Sequence, residues 1–261
     1  MVEDKAALRK DIEEIQRQID LLRSRLDSLV SVEEEGRYRT FIKGLDERIG
    51  GGLPRSHVVL LSGPSGSMKS SLALNILSKN IEQGTSGIYL TLDERKESLL
   101  RTAANLGLKI EEGSIVDIGE MRRVEEIAPD ATDWFGIITK YLRKMEGKKR
   151  VSLVVLDSLD SVLSLTDYSS PRDAISRFFH SLRDLDLTSI IIDEAESETG
   201  YPNHEDRIAD GNIFVTFDVY PRLGVKLIIR CVKMRHTKHS MDYYNLNFEN
   251  GDFFLTELSA Q

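Results

Sequence analysis

The segment from His57 to Leu77 constrains the fold more than any other part of this chain. An apolar run, His57-Val58-Val59-Leu60-Leu61-Ser62, leads into Gly63-Pro64-Ser65-Gly66-Ser67-Met68-Lys69-Ser70-Ser71, and a helical pattern continues through Leu72-Ala73-Leu74-Asn75-Ile76-Leu77. Strand, glycine-bearing loop, Lys-Ser and helix in that order form the setting of a phosphate-binding loop. Amides of such a loop face phosphate oxygens at the positive end of the helix. Lys69 then reaches the outer phosphates, and the Ser70 hydroxyl is offered to Mg²⁺. Met68 replaces the second glycine of the usual G-x-x-x-x-G-K-[ST] pattern, and its Cβ narrows the backbone choices there. The whole stretch from Gly63 to Ser71 is the expected nucleotide site.

Two further strands end in carboxylates. Val151-Ser152-Leu153-Val154-Val155-Leu156-Asp157-Ser158 reads as a buried strand whose Asp157 meets the phosphate loop at the carboxyl edge of the sheet. Its expected task is to hold Mg²⁺, or a water on it, beside Ser70. Ile88-Tyr89-Leu90-Thr91-Leu92-Asp93-Glu94 is the second. A carboxylate at that place can orient and deprotonate an attacking water. Asp93 also fits the N-cap of a helix starting at Arg95.

Composition sets outer limits. The chain has 261 residues and a formal charge of -8, which argues against a dominant nucleic-acid surface. The single cysteine, Cys231, permits no internal disulfide and lies in an apolar strand-like run, so a buried thiol is expected. No apolar stretch has the length of a membrane span and the N-terminus is charged, so no membrane contact and a cytoplasmic location are expected.

Residues 1–31 stand apart as an amphipathic helix. Leu8, Ile12, Ile15, Ile19, Leu22, Leu26 and Leu29 alternate spacings of four and three, the a/d pattern of a coiled coil. Ile12 and Ile19 at a, with Leu8, Leu22 and Leu29 at d, lean towards a parallel pair. This helix is the expected docking element for an unknown protein partner. A charged linker, 32–40, separates it from a catalytic domain at 41–261. There, strands are predicted near 87–92, 151–157, 188–193, 212–219 and 224–234, and helices near 71–83, 95–106, 132–146 and 171–185. That alternation implies an α/β fold with a mainly parallel sheet flanked by helices. Ser170-Pro171 marks a helix start, and Asn250-Gly251 marks a C-terminal β-hairpin.

The ordered motifs resemble the KaiC-like ATPases of the RecA superfamily. Lys43-Gly44-Leu45-Asp46-Glu47-Arg48-Ile49-Gly50-Gly51-Gly52-Leu53-Pro54 is similar to that family's lead into its phosphate loop, and some archaeal members also carry Met before the loop lysine. Thr91-Leu92-Asp93-Glu94 resembles the strand with paired catalytic acids, here Asp-Glu rather than Glu-Glu. Leu156-Asp157-Ser158 resembles the Walker B strand, and Lys233-Met234-Arg235 the Lys-Met-Arg signature. The resemblance spans roughly residues 40 to 255. It implies a RecA-like P-loop core, ATP and Mg²⁺ as ligands, Asp93 and Glu94 as water activators, and a homo-oligomer such as a six-membered ring. It also implies that Lys233 and Arg235 act in trans on the neighbouring subunit's nucleotide, where such cations are worth about 10³–10⁵ in rate.

Some residues depart from the family pattern. His236-Thr237-Lys238-His239 stands where family members carry glycine after the signature. His204-Glu205-Asp206-Arg207-Ile208-Ala209-Asp210 offers no hydroxyl where the clock protein has its phosphoacceptor pair, so self-phosphorylation there has no support. Three function classes are open to such a chain: an oligomeric regulatory or signalling ATPase, an ATP-gated scaffold that barely hydrolyses, and a recombinase-like DNA-binding ATPase. The acidic balance and Asp193-Glu194-Ala195-Glu196-Ser197-Glu198 oppose the last.

Overall fold

The computed structural model describes residues 36–124, 133–146, 151–220 and 224–258. The expected N-terminal coiled coil lies outside the described residues. The chain divides into two compact units, Met1–Arg37 and Tyr38–Gln261, and the second holds the sheet and its helices.

Nine strands among the described residues form one sheet. They are β1 (Val58–Gly63), β2 (Gly87–Thr91), β3 (Ile115–Asp117), β4 (Leu153–Asp157), β5 (Thr188–Glu194), β6 (Gly211–Tyr220), β7 (Gly224–Met234), β8 (Tyr244–Glu249) and β9 (Asp252–Glu257). Their order is β9-β8-β7-β6-β1-β5-β4-β2-β3. Strands β6 to β3 across the centre run parallel, whereas β7, β8 and β9 add an antiparallel wing. The expectation of a mainly parallel α/β sheet with a C-terminal hairpin therefore holds.

Continuous apolar runs in β1, β4 and β5 follow from burial on both faces, which a parallel sheet with helices on each side imposes. Val59 and Leu61 of β1 point into one core with Leu72, Ile76 and Leu77, while Val58 and Leu60 point into the other with Phe178 and Phe179. The first core is roofed by α1 (Lys69–Glu82) and α2 (Lys96–Asn105). The second holds α4 (Trp134–Glu146) and α6 (Pro171–Asp184), whose Phe135 and Phe178 rings stack with centroids 4.7 Å apart. Pro171 takes the first position of α6 as expected, but Ser170 Oγ donates to Asp173 rather than capping a backbone amide. Asn250 and Gly251 both adopt positive φ (52° and 85°) between paired Glu249 and Asp252. Such a two-residue loop matches the twist of its flanking strands.

Short elements escaped the sequence pattern. Strand β3, α3 (Ile118–Val124), α5 (Leu159–Ser164) and α7 (Glu205–Ile208) each span too few residues to show a period. Cys231 is buried, as expected, and desolvation pushes its thiol up to about 12.

Candidate functional site

The parallel topology gathers the expected residues at the carboxyl edge of β1, β2, β4 and β5. Gly63 ends β1 under the backbone of β6: a Cβ there would stand 1.9 Å from the carbonyl oxygen of Val215, so only glycine fits. The loop then turns through Gly66 (φ 79°) into α1. Met68 is the N-cap of that helix with φ 66°, a left-handed conformation that favours glycine. That geometry costs a non-glycine residue about 1–2 kcal/mol. The Met68 side chain packs on the first core and offsets part of this cost. His236, the other non-glycine departure, also occupies a left-handed position (φ 57°).

Lys69 folds back over the loop, donating to the carbonyls of Gly63 (2.8 Å) and Pro64 (2.9 Å). Burial lowers its pKa, opposed by the charges of Glu194, Asp157, Asp160 and Asp193. Ser70 Oγ donates to Asp157 Oδ2 at 2.8 Å, and the Tyr89 hydroxyl donates to the same oxygen at 2.5 Å. Thr91 lies opposite Asp157 in the β2/β4 register, which puts Tyr89 two residues back on the same face. Burial raises the Asp157 pKa, and these two hydrogen bonds work against that rise. Ser67 Oγ is buried in the loop without a partner.

The two expected acids diverge. Asp93 lines the cleft, its carboxylate accepting from the hydroxyls of Ser158 and Ser161. The N-cap of α2 is Arg95, so the capping alternative for Asp93 is overturned. Glu94 accepts from the Ser98 hydroxyl of α2 and is not among the residues lining the cleft, although its charge reaches Asp157 and helps raise that carboxyl's pKa. The cleft, about 410 Å³, is bounded by the loop from Ser65 to Ser71 with Asp93, Asp157, Ser158, Asp160, Ile192 and Glu194.

Lys233 and Arg235 are brought together, but beside α7 and not among the residues lining this cleft. Lys233 Nζ donates to the carbonyls of Asp206 (2.9 Å) and Ala209 (2.7 Å). Arg235 donates to Asp210 at 2.8 Å, a carboxylate also held by Arg183 at 2.8 Å.

Sequence reading missed Tyr89, Asp160, Ser158 and Ser161. Tyr89 was visible only as one more apolar residue of a strand, and α5 was too short to read. Among the described residues no group of three His, Cys, Asp or Glu side chains is set to hold a metal. One hydroxyl and one carboxylate suit a hard cation such as Mg²⁺, which keeps waters and takes further oxygens from substrate phosphates. The donor set therefore fits it. No helix among the described residues is long and apolar enough to cross a membrane.

Fold and site together define a RecA-like α/β domain of the P-loop class. A family profile described as ATPase: KaiC matches residues 38–253, and the chain belongs to that family. It is 30% identical over 230 residues to a UPF0273 protein of Pyrobaculum aerophilum, covering 82% of this chain and 80% of that one. It is 26% identical over 245 residues to the circadian clock protein KaiC3 of Synechocystis, covering 89% of this chain and 46% of that protein. A crystal structure of a KaiC-like protein from Pyrococcus horikoshii superposes with a TM-score of 0.73 at 26% identity, covering 84% of this chain and 98% of that one.

Proposed function

We propose that this chain binds ATP with Mg²⁺ and hydrolyses it slowly at sites shared between subunits of a ring-forming homo-oligomer, as a regulatory switch for a protein partner. The carrying observation is the Ser70–Asp157 hydrogen bond beside Lys69, which sets hydroxyl, carboxylate and ammonium around one loop. Loop amides and Lys69 bind the phosphates, and Lys69 exchanges its two carbonyl partners for phosphate oxygens. Ser70 and Asp157 hold Mg²⁺, which neutralises charge on the outer phosphates when bound. Asp93 orients and deprotonates the attacking water, and Glu94 joins it only when released from Ser98. Arg235, 44% exposed at its side chain, and Lys233 complete the neighbouring subunit's site. Residues 1–31 present the partner surface, and location in the cytoplasm is part of this reading.

A second reading is an ATP-gated scaffold with vestigial hydrolysis, favoured by Met68 at a strained loop position and by the engagement of Glu94 with Ser98. A recombinase-like role is disfavoured by the acidic balance. The deciding measurement is Mg²⁺-dependent ATP turnover per subunit across protein concentration, with Lys69→Ala as the blank. Turnover above the blank supports the ATPase, ATP binding without it favours the scaffold, and absence of both overturns the nucleotide reading.

A further inference from the structure

Asp210, between α7 and β6, is a buried carboxylate that divides its two oxygens between the body of the domain and the open end of β7. Oδ2 accepts from the Val58 amide at 3.0 Å and from Arg183 Nε at 2.8 Å, so the first residue of β1 and the last turn of α6 hold it. Arg183 is itself fixed, its Nη2 donating to the Ile208 carbonyl at 2.8 Å. Oδ1 is left for Arg235 Nη1, also at 2.8 Å. Burial works against ionisation of Asp210, yet Arg183, the Val58 amide and Arg235 hold its carboxyl below the usual carboxylate range. One carboxylate between two guanidiniums leaves one positive charge over. The more open of the two cations is Arg235, 44% exposed at its side chain against 24% for Arg183. Among the described residues Arg235 gives one N–H to Asp210 and one to the Arg207 carbonyl, and its guanidinium has further donors for an anion outside.

This clamp stands at the far end of the sheet from the phosphate loop. The Arg235 amide donates to the Asp210 carbonyl, and the Asp210 amide to the Val58 carbonyl, each at 2.8 Å. The loop leaves β1 at its other end, at Gly63, about 17 Å along the strand. That is farther than an arginine side chain reaches, so a phosphate on Arg235 is not held by this chain's own loop. We propose that Asp210 is the positioning residue of Arg235: it ties the guanidinium to α6 and β1, so that the cation meets a neighbouring subunit's outer phosphates already oriented. This rests on the reading of Arg235 as acting in trans. A cation fixed beforehand needs no reorganisation as charge develops on the phosphate. One left to swing loses by misplacement, and an error of about 1 Å costs about 10²-fold.

Mixed oligomers of full-length variants separate positioning from folding. Lys69→Ala chains keep Arg235 but lack a working loop, and Arg235→Ala chains are the reverse. ATP turnover recovered on mixing therefore comes from the loop of the second and the arginine of the first. Asp210→Asn, which keeps the side-chain shape, is then added to one chain at a time. In the Lys69→Ala chain it is expected to lower the recovered kcat about 10–100-fold and to leave KM for ATP within about twofold, since the loop belongs to the other chain. In the Arg235→Ala chain there is no guanidinium to misplace, and the same substitution is expected to cost much less. No loss in the first arm, or an equal loss in both, overturns the inference. If mass shows that Asp210→Asn does not assemble, Asp210→Glu, which keeps the charge and moves the oxygens by one methylene, is read by the same two arms and the same criterion. A starting mixture that contains hetero-oligomers and recovers nothing fails earlier, at the trans reading, and takes this inference with it.

Discussion

Ser70 and Asp157 meet across 2.8 Å, joining the first turn of α1 to the tip of β4 although β5 separates β4 from β1 in the sheet. The same Asp157 oxygen accepts the Tyr89 hydroxyl at 2.5 Å, so one carboxylate oxygen collects both donors. This lattice fixes the carboxylate where a hard cation on the outer phosphates needs it.

Asp157→Asn keeps the side-chain shape and an acceptor oxygen but removes the charge. The Mg²⁺ concentration for half-maximal ATP turnover is expected to rise by about 10–100-fold, the range seen when residues that tune a metal are lost. A Mg²⁺ titration of turnover reads this directly, and an unchanged midpoint would remove Asp157 from the metal site.

The trans role of Arg235 predicts complementation. Lys69→Ala and Arg235→Ala are each expected to lose about 10³-fold or more in turnover. Mixing the two purified variants should recover activity, because an intact loop from one chain then meets an intact Arg235 from the other. Two inactive proteins that stay inactive when mixed, in a mixture shown by mass to contain hetero-oligomers, would place Arg235 in its own subunit's site or outside the chemistry.

Asp193 gives a pH signature. It is 1% exposed, and burial, together with the charges of Asp160 and Glu205, pushes its carboxyl up to about 9 against the opposing charge of Lys69. Its Oδ2 has no donor facing it, and a proton held on the group supplies a donor towards Asp160. The folded state thus binds a proton that the unfolded chain has released. The stability this proton provides is full below about pH 4 and is lost as pH rises towards 9. Asp193→Asn imitates the protonated form and escapes the loss. Its melting temperature should match the native chain near pH 4 and exceed it by a margin that widens with pH to about 10 °C or more near pH 8.5. A difference that does not grow with pH would show that Asp193 is ionised in the fold.

Cys231 is 4% exposed with a thiol pushed up to about 12, so almost no thiolate is available in the folded chain at neutral pH. A maleimide or disulfide reagent should label it only as fast as the chain unfolds, about 10²-fold or more slower than in denaturant. Rapid labelling of folded protein would mean that β7 opens locally.

Much of the site was legible because its residues are local. Gly63 to Ser71 lie on one strand–loop–helix unit, and Asp157 and Asp93 end apolar strands that a parallel sheet must align. The hairpin at Asn250-Gly251 was legible for a similar reason, since two positive φ angles in sequence admit few residues. What the linear pattern placed less well depends on which side-chain partners the fold supplies, some of them far along the chain. Asp93 reads equally as a cap until Ser158 and Ser161, the cap and first turn of a helix too short for a period, take hold of its carboxylate. Glu94 reads as its equal until Ser98, one turn on along α2, donates to its carboxylate.

The sequence by itself determined the strand–loop–helix of the phosphate site, the alternation that makes the sheet parallel, and the family to which these motifs belong. Each of those follows from residue spacing over a few turns or one strand. Only the tertiary structure decided which carboxylate faces the cleft, that Tyr89 shares Asp157 with Ser70, that Lys233 and Arg235 rest on the carbonyl and carboxylate groups of residues 206–210, and that Asp210 ties Arg235 to Arg183 and to the Val58 amide. Those relations join residues dozens to more than a hundred positions apart. They are fixed by strand order and register, which spacing along the chain does not encode.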